Sequence, residues 1–457
     1  MSTLSAAEQR VLVKAEADGS GEAQLAALHR RLQQLDEPGA GQVASDELEP
    51  IEDPVRLDAL PEPSDAQARE ALDQLVVLKL NGGLGTSMGL SGPKSLLPVK
   101  DGASFLDVIA SSVLAVRTRY GARLPLVLMD STTTRDPSLA ALSRAGLTGV
   151  DDLPLDFLQG REPKLSADSH EPVSWPADPS LEWCPAGHGD LYSSLAATGM
   201  LERLLEAGLR YAFVSNADNL GAVADPRLAA FVVREQVPFL LEAVRGTAAD
   251  RKGGHLARRD GQLVLRENAQ VPDGDTSFTD VERWRFYNTN SVWVDLQALH
   301  ALQQDDPAAP ELPLIVNRKT VDPTDPRSPA VLQLETAMGA AVGSIRGARA
   351  VHVPRTRFAP VKTTDDLLVV RSDAYILDDG LMLPAVDGPL PVVTLDPHHY
   401  RLLDGFDARF PTGPPSLREC TSLRVEGDVR FGAGVVVRGD VVLRGPRDVA
   451  DGEVLAG

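Results

Sequence analysis

From about residue 71 onwards, the apolar residues of the chain fall into short continuous runs that alternate with stretches of helical periodicity. Residues 76–80, 124–129, 211–215 and 237–244 have the length and the unbroken hydrophobicity of buried strands. Residues 286–294 form a further strand with apolar flanks. Strands that alternate with helices predict an α/β fold with a largely parallel sheet.

Helix boundaries are predicted at two places in this region. Ser104 and Asp107 make a capping box ahead of residues 108–120, because each side chain can bond the other's backbone N–H. Residues 190–207 are apolar at helical spacing and end at Gly208, a residue type that terminates helices in the left-handed conformation. We therefore expect one helix over each of these segments.

The N-terminal part of the chain has a different pattern. Residues Ala6–Ala17 and Glu22–Leu35 have helical composition, and a Gly-Ser-Gly sequence separates them. Residues 37–64 are rich in proline, glycine and acidic residues, which predicts a loop. We therefore predict that residues 1–70 are an N-terminal helical segment followed by a linker.

The C-terminal part contains a six-residue period. Two apolar sets and one set of small residues recur at this interval: Leu423, Val429, Val435 and Val441; Val425, Phe431, Val437 and Leu443; Gly427, Ala433, Gly439 and Gly445. A hexad period predicts a parallel β-helix, in which each short strand stacks on the strand one coil away. An ordinary β-meander stays an alternative, because period-two alternation alone would produce the pairs within each hexad.

Composition narrows the class of protein. The chain has 457 residues, 43% hydrophobic and 24% charged, which is typical of a globular protein with two or three domains. Its formal net charge is −20 and it has no basic stripe, which argues against a nucleic-acid binder. A few local cations and backbone amides can still bind a small anionic ligand.

The chain has no feature of a membrane or secreted protein. No apolar run approaches the roughly 20 residues that cross a bilayer, and the N-terminus lacks the pattern of a signal peptide. Cys184 and Cys420 form no CxxC pair, so each is expected to be a small buried apolar residue. We expect a cytoplasmic protein with no membrane partner.

One glycine-rich segment carries the candidate chemistry. Residues 78–95 read LKLNGGLGTSMGLSGPKS and follow a predicted strand, with five glycines in the eleven positions 82–92. Glycine allows positive φ angles and close approach to a ligand, and successive backbone N–H groups can then bind phosphate oxygens. Lys94 adds a positive charge at the end of the segment.

Two other glycine-rich motifs do not fit this segment. A P-loop requires lysine directly after glycine, whereas Pro93 separates Gly92 from Lys94. A Rossmann fingerprint requires G-x-G-x-x-G, and residues 83–89 have one residue too many after the second glycine. A simple tight turn needs neither so many glycines nor the lysine. The segment therefore indicates a phosphate site of another kind.

The segment resembles the signature of eukaryotic-type UTP–glucose-1-phosphate uridylyltransferases, which reads LNGGLGTSMG followed by GPKS. Further motifs of that family follow in order along roughly residues 75–445, which is most of the chain. They are PAGHGD at 185–190, SNADN at 215–219, KGG at 252–254, NTN at 288–290 and VKTT at 361–364. Several collinear motifs are far more specific than any one of them.

The resemblance implies both a fold and an activity. The expected fold is a Rossmann-like, mixed but mostly parallel sheet in a nucleotidyltransferase domain, residues 71–378. Residues 379–457 would be a C-terminal domain ending in a left-handed β-helix. The activity would join UTP to glucose 1-phosphate and release pyrophosphate, with Mg²⁺ as the cofactor. The chain could form a homo-oligomer through the C-terminal domain, whose last coil exposes strand edges.

The resemblance also assigns roles to residues on the nucleotide side. Leu80, Asn81, Gly82 and Gly83 would contact the base, Gly187 the uracil or ribose, and Lys94 and Lys362 the phosphates. Gln159 would read uracil, since its amide offers one donor and one acceptor. Asp218 follows the predicted strand 211–215, and a carboxylate beyond the carboxyl end of a strand is a suitable Mg²⁺ ligand.

On the sugar side, the resemblance places His188 near the sugar phosphate, without a role as a proton-transfer base. The candidates for the sugar hydroxyls are Asn216, Gly254, Glu267 and Asn290.

Two alternatives to this function stay open. The same chemistry on another sugar 1-phosphate, such as N-acetylglucosamine 1-phosphate, is the nearer one. Ser91, Tyr287 and Ser291 differ from residues common in the family, which weakens the choice of sugar. A non-catalytic nucleotide-sugar sensor or assembly protein is the other, although it predicts loss of a phosphate lysine or of the metal carboxylate. Lys94 and Asp218 are both present.

Overall fold

The computed structural model describes residues 4–37, 41–52, 54–386 and 388–457. Within these ranges the α-helices are α1 (Ala6–Ala17), α2 (Glu22–Leu35), α3 (Asp65–Leu72), α4 (Phe105–Tyr120), α5 (Arg135–Arg144), α6 (Leu191–Ala197), α7 (Met200–Glu206), α8 (Pro226–Glu235), α9 (Leu296–Asp305), α10 (Thr364–Arg371), α11 (Pro397–Tyr400) and α12 (Leu403–Arg409).

The strands are β1 (Glu49–Pro50), β2 (Val55–Arg56), β3 (Leu75–Leu80), β4 (Pro98–Lys100), β5 (Ala103–Ser104), β6 (Leu126–Asp130), β7 (Asp156–Leu158), β8 (Arg161–Pro163), β9 (Leu165–Ser166), β10 (Trp183–Pro185), β11 (Tyr211–Asn216), β12 (Phe239–Arg245), β13 (His255–Arg259), β14 (Gln262–Arg266), β15 (Phe286–Asp295), β16 (Ile315–Thr320), β17 (Ala330–Glu335), β18 (Arg349–His352), β19 (Tyr375–Asp378), β20 (Leu381–Pro384), β21 (Val392–Thr394), β22 (Ser416–Glu426), β23 (Val429–Phe431), β24 (Val436–Arg444), β25 (Arg447–Val449) and β26 (Val454–Ala456).

A large mixed sheet forms the centre of the protein. Its strand order is β2-β18-β12-β15-β11-β3-β6-β7, and β1, β13 and β14 attach beside β15. The neighbours along this order are parallel, except that β15 runs antiparallel to both β11 and β12. The prediction of an α/β fold with a mixed, mostly parallel sheet is confirmed.

The apolar runs form strands because both faces of the sheet are buried. In β3, Val76 and Leu78 belong to the core on one face, and Leu75 and Val77 belong to the core on the other face. Strands covered on both faces are apolar throughout rather than alternating. The five strands predicted from such runs are present as β3, β6, β11, β12 and β15, with ends that differ by at most two residues.

The two helix predictions had different outcomes. The capping box of α4 is confirmed, since Ser104 and Asp107 exchange bonds with each other's backbone N–H at 3.2 and 2.9 Å. The single helix over 190–207 is wrong, because α6 and α7 are separated at Gly199, whose φ is +69°. This conformation ends a helix in the same way as the expected Gly208, but it cannot be read from apolar spacing.

The N-terminal helices α1 and α2 have the predicted bounds and pack on an apolar cluster with Leu165, Leu314 and Leu334. The loop predicted over residues 37–64 is wrong in part, because β1 and β2 lie inside it and pair with β13 and β18. These strands have two residues each, which is too short for a period to appear in the sequence.

The C-terminal part consists of short parallel sheets. Leu423 pairs with Val441, and Val429 with Arg447, so the partners are 18 residues, or three hexads, apart. An ordinary meander would pair antiparallel, so that alternative is wrong. All members of the two apolar hexad sets are buried: Leu423, Val429, Val435, Val441, Val425, Phe431, Val437 and Leu443.

The apolar core is continuous from the central sheet into this C-terminal part. Phe213 of β11 and Phe431 of β23 belong to one buried cluster. The division into domains at residues 70 and 378 stays a prediction. Cys184 and Cys420 are buried and free, as expected. Among the described helices, none combines the length and the apolar character needed to cross a bilayer.

Candidate functional site

The carboxyl ends of four neighbouring parallel strands, β11, β3, β6 and β7, meet at one edge of the sheet. Ligands of open α/β sheets bind beyond this edge. The loops there enclose a cavity of ≈ 290 Å³. Its lining residues are Leu80, Asn81, Gly82, Gly83, Lys94, Ser95, Met129, Gln159, Pro185, Gly187, His188, Asn216, Ala217 and Asp218.

Ten of the predicted site residues are in this lining, which places them together. Lys362 is half exposed, but its Nζ reaches Asp218. Gly254, Glu267 and Asn290 are outside this lining. A larger cavity of ≈ 740 Å³ lies beside β13, β14 and β18, and it contains none of the predicted residues.

The glycine-rich segment folds into a turn that brings Lys94 back to its start. The backbone N–H of Lys94 donates to the carbonyl of Gly83 at 3.1 Å. Gly85 and Gly89 have φ angles of +65° and +80°, which side chains with a Cβ rarely adopt. A Cβ on Gly82 would collide with the carboxamide of Gln159. The glycines are therefore required both by the turn and by its close approach to Gln159.

Asp218 is the meeting point of two lysines. Its Oδ2 accepts from Nζ of Lys94 at 2.7 Å and from Nζ of Lys362 at 2.8 Å. Lys94 also donates to the carbonyl of Val361, the residue before Lys362. Burial alone would raise the pKa of Asp218, but the charges of Lys362 and Lys94 outweigh it and lower the pKa below its usual value. The carboxylate is therefore ionised at neutral pH.

The environment of Asp218 fits a divalent cation. Its Oδ1 is buried and has no hydrogen-bond partner among the described residues. A magnesium ion needs few protein ligands, because it keeps several waters and binds substrate phosphates. Asp218 supplies one ionised carboxylate whose Oδ1 has no hydrogen-bond partner in the part of the chain that the structure describes. Because the glycine-rich turn beside it is suited to phosphates, this single carboxylate is sufficient as the protein ligand of a magnesium ion.

Gln159 is held at the end of β7 by backbone hydrogen bonds to β6 and to the N-terminal end of α6. Its backbone N–H donates to the carbonyl of Asp130 at 2.8 Å. The next N–H, of Gly160, donates to Oδ2 of Asp190 at 2.6 Å and to Oγ of Ser194 at 3.1 Å. The carboxamide of Gln159 is thereby directed against Gly82 in the cavity.

His188 is a neutral side chain with a defined tautomer. Its Nδ1 accepts from the backbone N–H of Met338 at 3.0 Å, so the ring hydrogen is on Nε2. Burial, and secondarily the charge of Lys362, lowers the pKa of His188 to about 4. The preceding Gly187 has φ +80°, and a Cβ there would collide with the backbone of Thr336. His188 can therefore donate a hydrogen bond but carries no charge at neutral pH.

The side chain of Asn81 is engaged inside the protein. Its Nδ2 donates to Oδ1 of Asp130 at 2.7 Å and to Oγ of Ser138 at 2.8 Å. Burial raises the pKa of Asp130 to about 6, although hydrogen bonds from Thr134 and Asn81 oppose the shift. Asn81 thus joins the glycine-rich turn to the end of β6.

Gly254, Glu267 and Asn290 form a second cluster around β15. A Cβ on Gly254 would collide with the carboxylate of Glu267. Burial raises the pKa of Glu267, although a hydrogen bond from Asn288 acts in the opposite direction. Asn290 has φ +54° and exchanges hydrogen bonds of 2.8 and 2.9 Å with Asn288. The Cβ position of Gly339, the residue after Met338, lies 3.1 Å from Nδ2 of Asn288. The second cluster therefore adjoins the anchor of His188.

Comparison with known proteins identifies the family. A family profile described as UTP–glucose-1-phosphate uridylyltransferase matches residues 26–438. The chain belongs to this family. The uridylyltransferase of Hordeum vulgare is 40% identical over 405 residues, covering 86% of this chain and 83% of that protein. The enzyme of Saccharomyces cerevisiae is 39% identical over 376 residues, covering 81% of this chain and 74% of that protein.

Solved structures of uridylyltransferases agree in fold. A variant UDP-glucose pyrophosphorylase of Leishmania major, in complex with UDP-glucose, has a TM-score of 0.93 and 40% identity, covering 99% of both chains. A Trypanosoma brucei structure described as a UDP-glucose phosphorylase has a TM-score of 0.87 and 41% identity, covering 99% of this chain and 100% of that one. The predicted family is confirmed.

Sequence reasoning missed several residues that build this uridylyltransferase site. Ser95, Met129, Pro185 and Ala217 line the cavity, and each is adjacent to a predicted residue or to a strand end. Asp130 ends β6 as Asp218 follows β11, so the strand-end rule that selected Asp218 could have found it. Asp190 and Ser194 had no such signal, because their role depends on contact with Gly160 across the fold.

Proposed function

We propose that the chain transfers the uridylyl group of UTP to glucose 1-phosphate and releases pyrophosphate. The observation that carries this proposal is the convergence of Lys94 and Lys362 on Asp218, beside the glycine-rich turn. Its relatives named UTP–glucose-1-phosphate uridylyltransferase support the choice of substrates.

The reaction is an in-line displacement at the α-phosphorus of UTP. An oxygen of the sugar phosphate attacks, its bond to phosphorus forms, and the bond to the pyrophosphate oxygen breaks. The attacking oxygen is already an anion, so the protein has no proton to remove, and the neutral His188 fits that requirement. The work of the protein is to align two polyanions and neutralise developing charge, for which Lys94 and Lys362 are placed.

The two substrates would occupy different parts of the site. The carboxamide of Gln159, supported by Gly82, would pair with uracil, and a wrong base would leave this amide unpaired. Glu267 and Asn290 would bind sugar hydroxyls. His188 lines the cavity and is anchored to Met338, and its Nε2–H would donate to the sugar phosphate.

Magnesium is proposed as the cofactor, with Oδ1 of Asp218 as its protein ligand. When bound, the ion would neutralise charge on the phosphates. Replacing Asp218 by Asn keeps the shape but removes the charge, so the Mg²⁺ concentration for half-maximal rate should rise about tenfold or more. An unchanged metal titration would remove Asp218 from the metal site.

The function is tested by pyrophosphate release with UTP against ATP, GTP and CTP, and with a panel of sugar 1-phosphates. UTP and glucose 1-phosphate should give the highest kcat/KM. A preference for N-acetylglucosamine 1-phosphate, or equal rates with several sugars, would instead support the same chemistry on other sugars. No release with any pair would support a nucleotide-sugar sensor, which the presence of Lys94, Asp218 and Lys362 disfavours.

For the C-terminal part, we propose a β-helix, left-handed by resemblance. The support is the offset of 18 residues, or three hexads, that paired strands keep from Ser422 onwards, and the burial of both apolar hexad sets. A homo-oligomer through this part and a cytoplasmic location are also proposed. Light scattering of the purified chain would test the first, because a monomeric mass at micromolar concentration would contradict it.

A further inference from the structure

Lys79 is a buried lysine inside the apolar strand β3. It is 3% exposed, and its Nζ donates to Oγ of Ser215 at 2.7 Å and to the carbonyl of Ala222 at 2.8 Å. Burial, and secondarily the charge of Arg357, lowers the pKa of Lys79 to about 7, although Glu242 and Asp218 oppose the shift. Burying an ammonium group costs free energy, so this position would be more stable with an apolar residue if it served packing alone.

The two partners of Lys79 lie at the two ends of one loop. Ser215 belongs to the end of β11, and Ala222 follows residues 216–221, which we call the Asp218 loop. A single ammonium group therefore joins both ends of the loop that carries Asp218. Since β3 is also the strand that leads into the glycine-rich turn, Lys79 connects that turn to the Asp218 loop.

The middle of the Asp218 loop is attached to the segment that carries Lys362. Nδ2 of Asn219 donates to the carbonyl of Arg357 at 3.1 Å, and its Oδ1 accepts from the N–H of Ala359 at 3.0 Å. The N–H of Val361 donates to the carbonyl of Asp218 at 3.1 Å. Three hydrogen bonds therefore join the loop to the Lys362 segment, and Lys79 is a side chain that attaches the loop to the central sheet.

We propose that Lys79 is a positioning residue for uridylyl transfer, because it fixes Asp218 relative to the glycine-rich turn and Lys94. The inference rests on the proposed function. Its physical basis is that the reaction rate depends steeply on how well the reacting groups are aligned, since a displacement of about 1 Å can cost on the order of 10²-fold in rate. Lys79 itself does not line the cavity, so it acts through the loop and not on a substrate.

The test compares Lys79→Met with Lys164→Met. Lys164 is a matched control, because it is also buried, its pKa is also lowered by burial, and its Nζ donates to the carbonyl of Val321 at 3.0 Å, away from the cavity. Lys79→Met should lower kcat about tenfold or more and raise the half-saturating Mg²⁺ concentration several-fold, roughly, by misplacing Asp218. Lys164→Met should change only the Tm.

A second variant covers the case in which Lys79→Met does not fold. Ser215→Ala removes one of the two partners of Lys79 and leaves the bond to Ala222. It should lower kcat roughly threefold to tenfold, as for loss of one hydrogen bond, with a Tm within about 2 °C of the native chain. Calorimetric titration with UTP in the presence of Mg²⁺ should show a weaker affinity for UTP in Lys79→Met and in Ser215→Ala than in the native chain.

The outcomes separate this inference from the proposed function. If Lys79→Met and Ser215→Ala keep native kcat, Mg²⁺ dependence and UTP affinity, Lys79 is only a structural residue and the inference is wrong. If the native chain itself has no turnover with UTP and glucose 1-phosphate, the proposed function is wrong, whatever the variants do. Loss of kcat and UTP affinity in both variants, with Lys164→Met at native rates, supports the positioning role.

Discussion

The nucleotide side and the sugar side of the site are built on different parts of the sheet. Leu80 ends β3, Gln159 follows β7 and Asp218 follows β11, and all three line one cavity at the edge where these parallel strands end. Gly254, Glu267 and Asn290 lie on or beside β15, the strand that runs antiparallel to its neighbours, and are outside that lining. Parallel strands bring the loops after them to a common edge without further adjustment.

On the sugar side, Asn290 lies at a bulge in the pairing of β12 with β15. The register of β12 and β15 shifts at one place, where Leu241 pairs with Val292 but Ala243 pairs with Asn288. Three residues of β15 therefore face one residue of β12, and the middle one is Asn290, with φ +54°. Such bulges redirect side chains near functional sites. The comparison teaches that the parallel strand ends place the nucleotide groups and also Asn216, whereas the bulge in β15 places Asn290.

The largest effect is expected on the nucleotide side, from Lys94→Ala. Removing one charge-stabilising contact typically costs about 10²–10³ in turnover. The fold should persist, because Asp218 keeps its bond to Lys362 at 2.8 Å. Steady-state kinetics should show the loss in kcat, and Lys319→Ala, at an exposed position of β16, should keep the native rate. A native kcat in the Lys94 variant would contradict its role.

Gly82→Ala should weaken the binding of UTP and leave the binding of the sugar phosphate unchanged. The new Cβ would collide with the carboxamide of Gln159, which is the movable end of a side chain, so the backbone can stay in place. Displacing that amide removes a hydrogen bond to the base, and the KM for UTP should rise about tenfold. Discrimination between UTP and CTP should fall, which competition kinetics would measure. A change in the KM for the sugar phosphate alone would mean that Gly82 and Gln159 belong to the sugar side and not to the nucleotide side.

Gly254→Ala is the counterpart on the sugar side. Its Cβ would collide with the carboxylate of Glu267, again the end of a side chain. The KM for glucose 1-phosphate should rise several-fold, roughly the effect of one weakened hydrogen bond, and the KM for UTP should stay native. Initial rates with each substrate varied in turn would separate the two. Equal effects of both glycine variants on both substrates would refute the division into two sides.

Much of the nucleotide side could be predicted from the sequence, because glycines, a lysine and a strand-end carboxylate have physical meaning without coordinates. The glycine-rich turn and the position of Asp218 beyond a strand end followed from such rules, whereas the contact between Asp218 and Lys94 was not predicted. The bulge at Asn290 could not be predicted, since it depends on the register between β12 and β15. Lys79 is visible as a charged residue inside an apolar run, but its bond to the backbone carbonyl of Ala222 could not be predicted from the sequence.

The break at Gly199 and the strands β1 and β2 show the same limit at the level of the fold. Apolar spacing continues through a glycine that takes φ +69°, so the period does not report the break. The two-residue strands exist only because β13 and β18 offer them partners.

The smallest expected effect concerns His188, which lines the cavity and is anchored to Met338. Its pKa of about 4 is below the ordinary 6.5, so the unfolded chain binds a proton here that the folded protein does not. The stability from this group is complete above pH 6.5 and falls as the pH drops from 6.5 towards 4. Because the ring is neutral, neither KM should show a titration of His188 between about pH 6.5 and 8.

His188→Asn isolates this contribution, because an Asn oxygen can accept the Met338 N–H in place of Nδ1. Burial also lowers the pKa of His255, to about 3, but His255 is present in both proteins and its effect cancels. The native chain should lose roughly 2 kcal/mol more than the variant between pH 7 and 5, on the order of 2 °C in Tm. Identical pH dependence of the two Tm values would contradict the lowered pKa of His188, because the folded and unfolded states would then bind the same number of protons at this residue.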